Sequence, residues 1–234
     1  MIPIVILAGG LATRLYPETK DIPKSMIKIA NKPFIYWQLK LLKEKGFEKV
    51  ILCVNHLAEQ IVDYVKDGKD FGLIVQYSYD GDVQLGTGGA IKKAIDLLDD
   101  TFFIMYGDSY LDIDYSNVLN KFPPKKLGLM TIYKNDNELE PSNVLLRHGE
   151  IVKYDKKINS LEMTYIDYGL GVFKKNAFAM DCFDLSDVYT YLIDEDRLAN
   201  YIVEERFYEI GSKKGIEETE KYILEKYKEK TCSI

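Results

Sequence analysis

Apolar and polar positions alternate along the chain in the pattern of an α/β fold. Short apolar runs suited to buried strands occur at residues 2–7, 50–54, 73–79 and 101–106. Segments with helical spacing of apolar side chains separate these runs at residues 34–45, 57–65 and 90–98. Because strands that alternate with helices tend to pair in parallel, this order predicts a mostly parallel sheet covered by helices on both faces.

The second half of the chain has a different pattern. It predicts strands at residues 127–133, 165–173 and 202–208, and a hairpin over 144–152 with its turn near His148 and Gly149. It also predicts helices over 187–198 and up to 227, with Ser212 as the cap of the last one. No linker rich in Gly, Ser or Pro separates the two patterns. We therefore expect one domain over 1–234 with a mixed sheet, of which 1–110 and 111–234 are the two halves.

Composition and charge exclude several classes of protein. Of the 234 residues, 47% are hydrophobic and 29% are charged, and the net charge is -6. The chain therefore has no basic surplus with which to neutralise a nucleic acid backbone. Cys53, Cys182 and Cys232 lie far apart without metal-binding spacing, which favours a reduced, cytoplasmic protein. Because no apolar run reaches roughly 18 residues, we expect no membrane span. The N-terminal apolar run is short and has no basic segment before it, so we expect no signal peptide.

The end of the first predicted strand carries the strongest chemical signal. Gly9 and Gly10 follow the apolar run, Thr13 and Arg14 come next, and Lys24 follows a proline ten residues later. Paired glycines let backbone N–H groups approach an anion, and arginine grips phosphate oxygens with a planar fork of donors. Two glycines after a strand also serve as a plain tight turn, but the two cations favour a loop that holds the phosphates of a nucleotide. The spacing is not that of a Walker A loop.

Two further stretches are open to a functional or a structural interpretation. Residues 86–89, Gly-Thr-Gly-Gly, precede a predicted helix, where they would either let a base or ribose lie against the backbone or simply connect two elements. Asp108 follows the strand at 101–106, at the sheet edge where ligands bind, and is either a Mg²⁺ ligand or a turn residue. The phosphate loop on the first strand favours the metal.

Three acidic residues in the second half have weaker signals. Glu209, within Tyr-Glu-Ile-Gly, is either a second metal ligand or a charge near the last helix. Asp167 precedes Gly169 by two residues, a setting that suits hydrogen bonds to sugar hydroxyls but also an ordinary strand surface. Asp155 belongs to a charged stretch, residues 155–157, that could be an ordinary solvated loop.

Taken in order, these segments resemble the sugar-1-phosphate nucleotidyltransferases. The similar segments are residues 7–15 (LAGGLATRL), 22–26 (IPKSM), 32–35 (KPFI), 85–90 (LGTGGA), 107–108 (GD) and 209–211 (EIG). The first two are highly specific, the later ones are loose, and the resemblance extends from residue 2 to about residue 228. The segment at 85–90 looks most like the guanylyltransferases for mannose 1-phosphate and D-glycero-D-manno-heptose 1-phosphate.

The resemblance implies a Rossmann-like three-layer sandwich and assigns roles to residues by position. Arg14 and Lys24 would be catalytic, and Asp108 and Glu209 would hold Mg²⁺. The nucleotide-binding residues would be Leu7, Ala8, Gly9, Gly10, Thr13, Arg14, Gly86, Thr87, Gly88, Gly89 and Gly107. The residues for the sugar phosphate would be Asn143, Lys156, Asp167 and Gly169. The implied partners are a nucleoside triphosphate and a sugar 1-phosphate, with GTP and D-glycero-D-manno-heptose 1-phosphate or a related hexose or heptose 1-phosphate as the best guess.

Three departures from the family pattern keep alternatives open. Ala12 replaces a common glycine, Glu209 replaces an aspartate, and we expect no long C-terminal extension such as a left-handed β-helix. The first two motivate a nucleotide-sensing regulator without turnover as an alternative function. Transfer from UTP, CTP or dTTP to another sugar or to a non-sugar phosphate is a second alternative, and a Rossmann oxidoreductase is a third. The sequence leaves monomer and homo-oligomer equally open.

Overall fold

The computed structural model describes residues 1–10, 15, 19–81, 83–158 and 160–231. The strands are β1 (Ile4–Leu7), β2 (Lys28–Ile29), β3 (Lys32–Pro33), β4 (Lys49–Val54), β5 (Ile74–Tyr79), β6 (Thr101–Tyr106), β7 (Ser109–Tyr110), β8 (Gly128–Lys134), β9 (Val144–Arg147), β10 (Glu150–Tyr154), β11 (Tyr165–Lys174), β12 (Leu198–Val203) and β13 (Tyr208–Glu209). The helices are α1 (Phe34–Glu44), α2 (Ala58–Val65), α3 (Gly86–Ala94), α4 (Tyr115–Asn120), α5 (Leu185–Asp194) and α6 (Lys213–Thr231).

In the part of the chain that the structure describes, one nine-stranded sheet runs through both halves. Its order is β10-β9-β11-β6-β1-β4-β5, and β8 pairs with β11 and β12 beside this path. The pairings give β1, β4, β5, β6, β8, β9 and β12 one direction, and β10 and β11 the opposite one. The predicted mixed, mostly parallel sheet is therefore confirmed, and its parallel centre places the carboxyl ends of β1, β4, β5 and β6 at one edge.

The sheet is covered on both faces, as its apolar strands require. Side chains alternate along β1, so that Ile4 and Ile6 face one core and Val5 faces another. The first core is closed by α1, α2 and α4, and the second by α3 and α5. A third cluster, which includes Trp37 and Ile223, joins α6 to α1. The result is the expected three-layer arrangement, with α6 packed at its side.

Local chain chemistry explains several predicted boundaries. Helix α1 ends at Glu44, Lys45 is its C-cap residue, and Gly46 follows with φ +85°, a conformation that glycine adopts without strain. The hairpin β9–β10 turns at His148 and Gly149, both with positive φ, as a two-residue hairpin turn requires. The Ser212 hydroxyl accepts a 3.0 Å hydrogen bond from the Gly215 amide and so caps α6, as predicted.

Some predicted boundaries are wrong. The helix predicted over 187–198 ends at Asp194, because Asp196 has φ +52° and Leu198 begins β12 beside β8. The helix predicted from residue 90 begins earlier, at Gly86. Helix α4 is not predicted from the sequence pattern. Its N-cap is Asp114, whose side chain accepts a hydrogen bond from the Asn117 amide. None of the described helices combines the length and the apolar content that a membrane crossing needs.

Candidate active site

A cleft of about 570 Å³ lies at the edge where β1, β4, β5 and β6 end. In an open parallel sheet this edge is the usual place for a ligand. Its lining comes largely from the residues that follow these strands, together with a few from the second half: Leu7, Ala8, Gly9, Gly10, Leu15, Lys24, Ser25, Cys53, Asn55, Asp80, Gln84, Gly86, Thr87, Ala90, Tyr106, Gly107, Asp108, Phe183, Asp184 and Gly211. The predicted residues Thr13 and Arg14 lie outside the described residues.

Gly107 brings the ends of β6 and β1 close together at the floor of the cleft. Its amide donates a 3.0 Å hydrogen bond to the Leu7 carbonyl, and a Cβ at this position would lie 2.4 Å from that oxygen. Ala8 continues the contact on the other side by donating to the Cys53 carbonyl at 2.9 Å. Gly9 and Gly10 follow directly, and a Cβ on Gly10 would meet nothing within 4 Å. Gly9 and Gly10, the described start of the predicted phosphate loop, therefore lie in the cleft lining.

Lys24 and Asp108 line the cleft, and Glu209 lies close to both of them just outside its lining. Lys24 Nζ lies 2.7 Å from Asp108 Oδ2, and both side chains are only partly exposed. The two-residue strands β7 and β13 pair with each other, so that Glu209 lies opposite Ser109. Next to this pair, the Ile210 amide donates a 3.0 Å hydrogen bond to the Asp108 carbonyl. This bridge brings together two carboxylates that are a hundred residues apart in the chain.

The Glu209 carboxylate is held in place by the start of α6. It accepts hydrogen bonds from the Gly211 amide and, at 3.2 Å, from the Ser212 hydroxyl. A Cβ on Gly211 or Gly215 would collide with this carboxylate, so both glycines make room for it. A Cβ on Gly211 would also lie 3.2 Å from Lys24 Nζ, so the ammonium group and the Glu209 carboxylate both lie next to Gly211. Gly215 was not singled out from the sequence, because only the fold brings it to Glu209.

Burial raises the pKa of Glu209, and the negative charge of Asp108 raises it further. The Gly211 amide, Lys24 and Ser212 act in the opposite direction. A cation placed between the two carboxylates would offset this burial and repulsion. Mg²⁺ takes oxygen ligands and is usually held by one or two carboxylates with substrate phosphates and water. Among the described residues, no group of three or more His, Cys, Asp or Glu side chains is arranged to hold a metal ion. Asp108 and Glu209 are thus the two described carboxylates whose chemistry fits a Mg²⁺ ion at this place.

The glycine-rich start of α3 has two different roles. Gly86, with φ +69°, and Thr87 line the cleft. The amides of Gly88 and Gly89 instead donate to the Phe183 carbonyl at 2.9 and 3.2 Å. A Cβ on Gly88 would lie 2.9 Å from the Asp184 carbonyl oxygen. Gly88 thus makes room for the segment before α5, and neither it nor Gly89 is part of the cleft lining.

The four residues predicted for the sugar phosphate lie together behind Tyr106. The Asp167 carboxylate is only 2% exposed, and its Oδ2 accepts hydrogen bonds from the hydroxyls of Tyr154 at 2.8 Å and Tyr106 at 3.3 Å. The Asp167 amide donates to Asn143 Oδ1 at 2.9 Å, and Asp167 Oδ1 accepts from the Gly169 amide at 3.0 Å. The carboxylate is therefore already surrounded by donors.

Tyr106 connects this cluster to the cleft. Lys156 Nζ donates to the Tyr106 hydroxyl at 2.8 Å and lies 4.5 Å from the centre of its ring. Burial raises the pKa of Tyr106 and of Tyr154 well above the usual value, and the nearby Asp167 charge adds to this, so both hydroxyls stay protonated. Neither tyrosine was singled out from the sequence, although Tyr106 stands directly before Gly107 and Asp108 at the end of a predicted strand.

Comparisons with known proteins agree with this arrangement. The family model described as "Nucleotidyl transferase" matches residues 4–224. A D-glycero-alpha-D-manno-heptose 1-phosphate guanylyltransferase from Aneurinibacillus thermoaerophilus is 29% identical over 87% of the chain and 86% of its own length. A UTP–glucose-1-phosphate uridylyltransferase from Synechocystis sp. is 35% identical over 64% of the chain, which spans 41% of that relative.

A solved structure shows the same fold. HddC from Yersinia pseudotuberculosis superposes with a TM-score of 0.81 over 95% of this chain and 100% of its own, at 24% identity. The resemblance seen in the sequence is thus confirmed by the family match, the relatives and the fold. The chain belongs to the nucleotidyl transferase family.

Proposed function

We propose that the chain transfers a guanylyl group from GTP to D-glycero-D-manno-heptose 1-phosphate or a related hexose or heptose 1-phosphate, with release of pyrophosphate. The observation that carries this choice is the heptose 1-phosphate guanylyltransferase relative, which matches over nearly the full length of both chains. The uridylyltransferase relative matches a shorter part of this chain. It makes UTP the competing nucleotide.

The chemistry requires charge neutralisation more than a base. A sugar 1-phosphate oxygen attacks the α-phosphorus of the triphosphate, and this oxygen is already ionised at neutral pH. The main obstacle is repulsion between two anions, which positioning and cations overcome. Lys24 faces the cleft and is the described cation best placed for the α-phosphate. Arg14 completes the triphosphate site in this proposal.

Mg²⁺ would be held by Asp108 and Glu209 and would neutralise phosphate charge when bound. Lys24 now pairs with Asp108, so phosphate and carboxylate compete for the same ammonium group. The raised pKa of Glu209 means that its carboxylate is ionised most readily when positive charge lies nearby. Around Lys24, Asp108 and Glu209, a bound polyphosphate would therefore favour binding of the cation, and the cation would favour binding of the polyphosphate.

Lys156 and Asp167 would serve the sugar phosphate in different ways. Lys156 is partly exposed and lies against Tyr106, which lines the cleft. Asp167 is buried among donors, so its contribution would be to orient Tyr106 and Lys156 rather than to bind sugar hydroxyls itself. This differs from the role that the resemblance implied for Asp167.

The test is pyrophosphate release in a coupled assay with GTP, UTP, CTP, dTTP and ATP, each combined with a panel of sugar 1-phosphates and with phosphocholine. We expect the highest kcat/KM with GTP and a heptose or mannose 1-phosphate. Lys24→Ala should lower turnover by about 100-fold or more, because a charge aimed at the transition state is lost. Lys28→Ala, which removes an exposed lysine on β2, is the matched control.

Each alternative gives a different result in that assay. A preference for UTP would replace the guanylyl assignment, and activity confined to phosphocholine would replace the sugar. Nucleotide binding without pyrophosphate release from any pair would favour a sensor without turnover. Normal turnover by folded Lys24→Ala would remove Lys24 from the mechanism.

A further inference from the structure

We propose that Gln38, a buried residue of helix α1, is a positioning residue for the metal ligand Asp108. The inference rests on the proposed function, because it takes Asp108 and Glu209 as the carboxylates that hold Mg²⁺. It goes further by giving a role to a side chain that is not part of the described cleft lining and that the sequence motifs do not indicate.

The side-chain amide of Gln38 connects both ends of the turn that carries Asp108. Gln38 is 1% exposed, and its Nε2 donates a 2.9 Å hydrogen bond to the Ser109 carbonyl and a longer one of 3.4 Å to the Tyr106 carbonyl. These two residues flank Gly107 and Asp108, which form the turn between β6 and β7. The NH₂ group must face this turn, because the opposite orientation would place the amide oxygen against two carbonyl oxygens.

The pairing of β7 with β13 explains why the Ser109 carbonyl needs a donor from α1. The Ile210 amide donates to the Asp108 carbonyl, so these two residues form a hydrogen-bonded pair. Such pairs alternate with non-hydrogen-bonded pairs along an antiparallel ladder, so the next pair, Ser109 and Glu209, exchanges no ladder bonds. The buried Ser109 carbonyl therefore points away from β13, where Gln38 supplies its donor. Without that donor a buried carbonyl would be left unpaired, which favours a shift of the turn.

Contacts from three sides thus fix the backbone that presents the Asp108 carboxylate. The Gly107 amide donates to the Leu7 carbonyl of β1, the Asp108 carbonyl accepts from β13, and Gln38 donates from α1. Of these three contacts, the one from Gln38 uses a side chain, so a substitution can remove it without altering the backbone. A metal ligand that is held in place before the ion arrives binds it more tightly than one that must be ordered on binding.

Gln38 is also the one amide on the buried face of α1. The other buried residues of this helix are aliphatic or aromatic: Phe34, Ile35, Trp37, Leu39, Leu41 and Leu42. Gln38 Oε1 is buried and accepts no hydrogen bond among the described residues. Half of the hydrogen-bonding capacity of this amide is therefore unmet, which lowers stability relative to an apolar side chain of similar size. A residue that breaks the local pattern at such a cost indicates a functional position.

The experiment measures metal binding directly, with Mn²⁺ alone as the probe. Mn²⁺ takes the same oxygen ligands as Mg²⁺, and electron paramagnetic resonance reports the free ion. Gln38→Met removes both N–H donors and keeps the length of the side chain. Its melting temperature should stay close to that of the wild type, because loss of the bond to Ser109 is offset by removal of the unsatisfied oxygen. Its dissociation constant for Mn²⁺ should rise by about 10-fold, which is typical when a partner that orients a metal ligand is lost.

Two comparisons separate the positioning of Asp108 from a general effect on the fold. In Asp108→Asn, which lacks the charged ligand, adding Gln38→Met should cause no further loss of Mn²⁺ affinity. Gln76→Met is the matched control and should leave the affinity unchanged. Gln76 also has a buried Oε1 without a partner among the described residues, but it lies on β5, which β1 and β4 separate from β6.

Three results would overturn the inference: unchanged Mn²⁺ affinity in folded Gln38→Met, an equal loss in Gln76→Met, or a further 10-fold loss when Gln38→Met is added to Asp108→Asn. Gln38→Asn keeps an amide that is too short to span both carbonyls, and it gives the same test if Gln38→Met does not fold. Failure of the proposed metal site is a different result, in which the wild type binds no Mn²⁺ or binds it equally well after Asp108→Asn. That result would remove the metal from Asp108 and, with it, the role of Gln38.

Discussion

A residue that serves the site can lower the stability of the fold, and Glu209 is the clearest example. Its carboxylate is largely buried, close to Asp108, and held by the Gly211 amide and the Ser212 hydroxyl. A carboxyl group whose pKa is raised on folding is stabilising below its unfolded pKa. That contribution is lost as the pH rises through the folded value. At neutral pH without a cation, the ionised Glu209 therefore lowers the stability of the fold.

Replacing Glu209 with glutamine should consequently raise the melting temperature at pH 7 in the absence of Mg²⁺. Relief of about 1 kcal/mol corresponds to roughly 2–4 °C for a domain of this size. Differential scanning calorimetry with and without Mg²⁺ measures both effects, because Mg²⁺ should stabilise the wild type and leave Glu209→Gln nearly unchanged. Glu217→Gln, on an exposed part of α6, is the control. A lower melting temperature without Mg²⁺, or equal stabilisation by Mg²⁺ in both proteins, would contradict this account of Glu209.

At the scale of residues, the sequence reveals side chains whose chemistry is local and misses those that the fold brings in. Lys24 and Asp108 were predicted because each stands beside a strand end or a rigid turn, and the structure places them 2.7 Å apart. Tyr106 and Gly215 were missed, because their roles depend on partners far away in the chain. The nucleotide- and sugar-binding roles assigned from the resemblance stay predictions.

Among the secondary-structure elements, α6 supports the site through an ion cluster around Asp112. Asp112, just after β7, accepts from Lys226 at 2.6 Å, Lys45 at 2.7 Å and the Tyr222 hydroxyl at 2.8 Å. The same helix contacts β13, where the Thr219 hydroxyl donates to the Glu209 carbonyl at 3.1 Å. The cluster therefore fastens α6 to the core and keeps Glu209 in position.

Asp112→Asn should weaken this attachment. Burial alone would raise the pKa of Asp112, but hydrogen bonds from Lys226, Lys45 and Tyr222 outweigh it and lower the pKa to about 2. A carboxyl group with a lowered pKa stabilises above its unfolded value near 3.9 and loses this contribution as the pH falls towards the folded value. We expect a loss of about 2 kcal/mol at pH 7, since two ammonium groups lose their counter-ion in a partly buried site.

Urea unfolding of the wild type and of Asp112→Asn at a series of pH values measures this contribution. The difference in unfolding free energy should be constant at neutral pH and shrink between about pH 4 and pH 2. Asp114→Asn, two residues later at the exposed start of α4, controls for a general loss of acidic charge. A difference that persists unchanged at pH 2 would show that Asp112 acts through packing instead of charge.

Elements with strong local signals were predicted well, and those defined by distant partners were not. Helix α1 and the hairpin β9–β10 carry their own stop and turn residues, and the structure confirms both. The helix predicted over 187–198 was extended too far, because the strand identity of Leu198 comes from pairing with β8. The short strands β7 and β13 consist of two residues each and exist only as partners of one another. No local pattern in the sequence indicates such a bridge.

In the whole molecule, the site depends on both halves of one continuous sheet. Strand β6 from the first half pairs with β11 from the second, and the cleft takes residues such as Phe183 and Gly211 from beyond residue 110. The mixed three-layer fold was predictable because apolar runs, helical spacing and family resemblance agreed. The division into one domain over 1–234 stays a prediction. What links Asp108 to Glu209 is tertiary structure, which follows from the complete fold and from no single segment.

The central claim is that the cleft at the ends of β1 and β6 holds the triphosphate and a magnesium ion. A crystal structure of the chain with a non-hydrolysable GTP analogue and Mg²⁺ tests it most directly. We predict phosphate density beside Gly9, Gly10 and Lys24, and a metal ion bound by Asp108 and Glu209. A nucleotide bound elsewhere on the molecule, with this cleft empty at saturating concentration, would contradict the claim.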